Sequence, residues 1–77
     1  MCNRDGLNIK QRFGLAIKER RQELGISQEE LAERASLHRT YVSDIERGTR
    51  NVSIENIAKL AKALNISISA LFANYNV

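Results

Sequence analysis

Residues 38–51 read HRTYVSDIERGTRN. Three arginines, a histidine, a tyrosine, an aspartate, a glutamate and several small hydroxyl or amide side chains share this stretch. Only Val42 and Ile45 are plainly apolar. These groups donate and accept hydrogen bonds and carry charge, but they form no reaction centre. There is no Cys–His pair within reach, no spacing of His, Cys, Asp or Glu that suits a metal, and no glycine-rich phosphate loop. Carboxylates such as Glu29 and Glu30 read as a solvated helix face. The expectation is recognition rather than catalysis, with no enzyme activity, no cofactor and no metal.

Composition sets the frame for that chemistry. Seventy-seven residues make one small domain, 1–77, and a chain of this size buries only about 60% of the surface its unfolded form exposes. The net charge is +3, which permits a nucleic-acid partner without demanding one. Its distribution is more telling. Arg34, Arg39, Arg47 and Arg50 cluster against Asp44 and Glu46, while Glu29, Glu30 and Glu33 lie together earlier in the chain. A single cysteine, Cys2, cannot close an internal bridge, which favours a reducing, cytoplasmic setting. No apolar run approaches the ~18 residues of a membrane span. The opening residues MCNRDGLNIK lack the apolar segment of a signal peptide.

The elements that position these residues read as helices throughout. Ile9, Phe13, Ala16, Ile17 and Leu24 recur at helical spacing, with Asn8 and Gln11 as a start signal and Gly25 as a stop. Ser27 and Glu30 form a capping-box pattern before a second helix whose Leu31, Ala32 and Ala35 face inward. A turn at Ser36–Leu37 leads to a third helix over roughly 38–46, closed by Gly48. Ser53 starts a fourth, with Ile54, Ile57, Leu60, Ala61 and Leu64 on one face and Asn65 as its stop. A short fifth helix begins near Ser67. The second and third helices are too short to lie side by side, so they should cross steeply as a helix-turn-helix over about 28–46. The fold class is all-α, a five-helix bundle.

The run GISQEELAERASLHRTYVSDIERGTRNVSIENIAKLAKALNISISALF resembles the helix-turn-helix domain of the phage Cro and repressor type, the Xre family. Within it, LHRTYVSDIERGTRN and the small size resemble the controller proteins of bacterial restriction–modification systems. The likeness covers about residues 9–73. It implies a Cro/repressor-like bundle and a sequence-specific regulator, bacterial or phage-encoded, that binds double-stranded DNA. An arginine late in the first helix and a glutamate ending the third are paired in the family, which implies an Arg21–Glu46 ion pair. The family often has glycine in the turn where Ser36 stands. A positive φ there would strain the serine by roughly 1 kcal/mol.

With Val42 and Ile45 turned inward, the third helix presents Arg39, Thr40, Ser43, Asp44 and Arg47 to a major groove. The fork of Arg39 matches guanine O6 and N7; a solvated or phosphate-bound arginine is the plainer reading. Thr40 suits a thymine methyl or simple exposure. Asp44 either accepts from cytosine N4 or orients Arg47 one turn away. His38 either starts the helix or touches DNA. Gln28, in the first turn of the second helix, and Tyr41, Ser43, Arg47, Arg50 and Asn51 are the candidates for phosphate. Ile68, Leu71 and Phe72, within a region of about 62–75, carry more apolar surface than so small a domain hides. They suggest a homodimer on a palindromic operator. RNA polymerase is a further partner if the acidic face of Glu29, Glu30 and Glu33 serves activation. An antitoxin-like interaction module with secondary DNA binding is the alternative.

Overall fold

Four of the five helix starts carry a side-chain cap. Asn8 accepts from the Gln11 amide while the Gln11 side chain returns to the Asn8 N–H, a complete capping box. Ser27, Ser53 and Ser67 accept from the third residue of their own helices. The Ser27 box is only half made, because the Glu30 carboxylate instead accepts from Arg34 Nε at 3.0 Å. The computed structural model describes residues 8–73, so Cys2 and Asn74–Val77 lie outside the described residues. Five α-helices follow in order: α1 (Ile9–Leu24), α2 (Gln28–Ala35), α3 (Arg39–Arg47), α4 (Ile54–Ala63) and α5 (Ile68–Leu71). No strand occurs among the described residues. The third helix begins one residue later than expected because His38 is its N-cap.

The core gathers Phe13, Ile17, Leu31, Ala35, Val42, Ile45, Leu60 and Leu64 between α1, α2, α3 and α4. Helix α3 packs against both α1 and α2. The approach to α1 is made at Gly14, which no apolar pattern marks. A Cβ there would collide with the Ile45 carbonyl oxygen and stand 2.9 Å from that of Glu46. A mid-helix glycine costs roughly 1 kcal/mol relative to alanine, and close backbone packing offsets that cost here. Ser36 takes the left-handed conformation, φ 58°, where serine's Cβ is disfavoured.

Two expectations about apolar residues are corrected. Ile54 is 69% exposed, because it occupies the first position of α4, beyond the edge of the core. Leu71 is only 5% exposed: α5 turns it inward onto the core of its own chain, so it is not free for a partner. Phe72 is half-buried and stacks on Phe13 with ring centroids 5.4 Å apart. Ile68 remains partly open to solvent. The carboxyl end of α4 is tied to α1 by Arg20, whose Nε donates to the Leu64 carbonyl at 3.1 Å and Nη2 to that of Asn65 at 3.2 Å.

Candidate nucleic-acid interface

The face of α3 opposite Val42 and Ile45 divides into two halves. At its start, His38, Arg39 and Thr40 are exposed, and His38 makes no side-chain capping bond. No hydrogen bond or ion pair within the described residues engages the side chain of Arg39 or Thr40. A guanidinium in that state presents all of its donors to an incoming acceptor.

The last turns of α3 are knitted into the frame. Arg21 donates from Nε to Glu46 Oε2 at 2.7 Å and from Nη2 to Oε1 at 3.1 Å. Its Nη1 donates to the Ile26 carbonyl at 2.9 Å. The two side chains are 13% and 4% exposed, so the fork sits in a largely water-excluded seam. Gln28 donates from Nε2 to Glu46 Oε1 at 3.0 Å. Its amide is therefore partly committed, and the structure gives it a supporting contact the sequence did not suggest.

Asp44 gathers Arg47 and Arg50. Arg47 Nη2 donates to Asp44 Oδ1, and Arg47 Nη1 donates to Ser43 Oγ at 3.0 Å. Arg50 Nε donates to Asp44 Oδ2 at 3.2 Å. The Arg50 guanidinium also lies 5.0 Å from the centre of the Tyr41 ring, within cation–π range. Tyr41 is fixed in turn: its hydroxyl accepts from Asn56 Nδ2 at 3.0 Å. Asp44 thus orients Arg47, one of its two sequence-level readings, and reaches Arg50 as well. Asn51 is exposed at the same end of the helix. Asn56 was not foreseen, since nothing in its local pattern separates it from an ordinary polar position on α4.

Among the described residues there is no group of three or more His, Cys, Asp or Glu side chains that could hold a metal, and no helix is long and apolar enough to cross a membrane. A short helix, a tight turn and a second helix with an open polar face define a helix-turn-helix DNA-binding protein. A family model described as helix-turn-helix matches residues 17–71. The control protein C.BamHI of Bacillus amyloliquefaciens is 53% identical over 60 residues, covering 77% of this chain and 74% of that protein. The crystal structure of the restriction–modification controller protein C.AhdI from Aeromonas hydrophila superposes with a TM-score of 0.79 at 50% identity, covering 80% of this chain and 94% of that one. The controller protein C.Esp1396I, solved as a tetramer with its natural 35 base-pair operator, matches at a TM-score of 0.77 and 38% identity, covering 82% of this chain and 83% of that one. The chain belongs to the restriction–modification controller proteins of the helix-turn-helix family, which are transcription regulators.

Proposed function

We propose that this protein regulates the genes of a restriction–modification system by binding a palindromic operator as a homodimer. It is a DNA-binding module without enzymatic activity, working in the cytoplasm of a bacterium or on behalf of a phage. The observation that carries the reading is the unpaired first turn of α3. Arg39 and Thr40 are exposed and uncommitted, on a helix whose far end is fixed. Free donors at the N-terminal end of such a helix suit base edges in a major groove. His38 and Ser43 flank them as further contacts. Arg47, Arg50, Tyr41, Asn51 and the α2 start at Gln28 are assigned to phosphate. The complex of C.Esp1396I with its operator supports DNA as the partner. An antitoxin-like role fits less well, because C.BamHI and C.AhdI, at 50% identity or more, are controllers.

One helix reads only a few base pairs, so two subunits are needed, each on a half-site about 34–36 Å from the other. Since Leu71 is internal, the dimer surface is assigned to Ile68 and the open edge of Phe72. Glu29 and Glu33, exposed beside the Glu30–Arg34 pair, form the surface assigned to RNA polymerase during activation. Selection of bound duplexes from random DNA at a stated salt concentration tests the reading. The expected product is a palindrome; recovery of no enriched sequence would overturn it. Sedimentation at micromolar concentration should show a dimer that Ile68→Asp converts to folded monomer. An unchanged dimer would move the interface elsewhere.

A further inference from the structure

Asp44 is the one acidic side chain on the open face of α3, where DNA phosphates would repel it. Yet it is only 16% exposed and bonded to two arginines at once. Each Asp44 oxygen receives one guanidinium, Oδ1 that of Arg47 and Oδ2 that of Arg50. Two guanidinium groups converging on one anion reproduce the arrangement with which arginines hold a phosphate. Here the anion comes from the protein. The Arg50 guanidinium also stands over the Tyr41 ring, and Tyr41 is held by Asn56, so the group rests on both α3 and α4.

We propose that Asp44 is a built-in phosphate surrogate: it holds Arg47 and Arg50 in the free protein and surrenders them to backbone phosphate only when α3 is seated in its operator. The inference rests on the DNA-binding reading above and adds a source of discrimination to it. Tied to one carboxylate, the two guanidinium groups give loosely associated DNA no phosphate contact of their own. A passing phosphate meets guanidinium groups already paired with an anion and a carboxylate that repels it. In the seated complex a phosphate is fixed close to both guanidinium groups, and contacts from the first turn of α3 hold it there. The handover then releases counterions that non-specific binding does not release. Asp44 is in this sense a positioning residue that sets specificity without reading a base.

The test measures the salt dependence of binding for the full chain on its selected operator and on an unrelated duplex, for the wild type and Asp44→Asn. Each additional phosphate neutralised steepens the slope of log K against log salt by about 0.9. At 0.1 M salt one such contact corresponds to roughly an 8-fold gain relative to 1 M. In Asp44→Asn the arginines are uncovered at all times. The slope on unrelated DNA should steepen by about 0.9–1.8, and the ratio of operator to non-specific affinity should fall by roughly 8-fold or more. An equal gain on both duplexes, or an unchanged slope on unrelated DNA, would overturn the proposal. Circular dichroism checks that the variant folds. Arg50→Ala in the wild-type background supplies a second reading that does not depend on Asp44→Asn. It should flatten the operator slope by about 0.9 and leave the non-specific slope where it was, and flattening of both slopes alike would also overturn the surrogate. Wild type that binds no DNA removes the functional reading itself, which separates that failure from failure of the surrogate alone.

Discussion

The start of α3 and its last turns are held in different ways. Its start holds the N-cap His38 with Arg39 and Thr40, all exposed, and the side chains of Arg39 and Thr40 bond to no described residue. Its last turns hold Asp44, Glu46 and Arg47, every one bonded to a neighbour. One end is kept free and the other is fixed. A reading head needs both properties, since a side chain free to meet a base discriminates only if the helix beneath it does not shift. The fixed end supplies that support through α1 at two levels, the Gly14 backbone contact and the Arg21–Glu46 fork.

The contrast can be broken most severely at Glu46. Glu46→Ala strands the Arg21 guanidinium in a seam where Glu46 was 4% exposed, and should cost about 3–5 kcal/mol of folding stability in urea denaturation. A loss below ~1 kcal/mol, the worth of an exposed pair, would mean that the fork is not part of the support.

The opposite end should respond the opposite way. Arg39→Ala should weaken operator binding by ~1–3 kcal/mol and relax base preference at one position of each half-site. Thermal stability should stay within about 0.5 kcal/mol of the wild type, as for a surface change that breaks no contact. Affinity falling alike for every sequence would make Arg39 a phosphate contact and erase the distinction between the two ends.

The fixed end was the less legible of the two in the sequence. The caps at Asn8, Ser27, Ser53 and Ser67 and the stops at Gly25 and Gly48 could be read because capping is local chemistry. Periodicity found the inward faces of α2 and α3 but misjudged the edges. It counted Ile54 as core and left Leu71 for a partner, because a repeat gives the direction of a side chain and not how far the core extends. The Arg21–Glu46 pair came only from the family resemblance. No local pattern links residues 25 apart in sequence. The second use of Gln28, the Arg50–Tyr41–Asn56 chain and the contact at Gly14 all depend on where α1 and α4 lie against α3, which a one-dimensional pattern does not encode.

The smallest expected effect lies in the turn that feeds the free end. Ser36 holds φ 58° without the freedom of glycine. Ser36→Gly should raise stability by no more than about 0.5 kcal/mol, the left-handed strain less the added entropy of the unfolded chain. Operator preference should not change. A shift in preferred bases would show that the strained turn helps aim the first turn of α3, and would sharpen the comparison by adding a third region to it.

Arg20 and Arg21 are consecutive in sequence, yet they hold different parts of the molecule. Arg21 grips Glu46 at the end of α3, and Arg20 grips the carbonyls of Leu64 and Asn65 beside the surface assigned to the dimer. In the proposed dimer, the path between the two reading helices then runs through α1, which two neighbouring side chains tie to α3 on one side and to the end of α4 on the other. The operator's letters and its spacing become separately adjustable quantities. Exchanging residues in the first turn of α3 rewrites the letters, while the gap between half-sites stays the same until the anchoring of α1 itself is rebuilt.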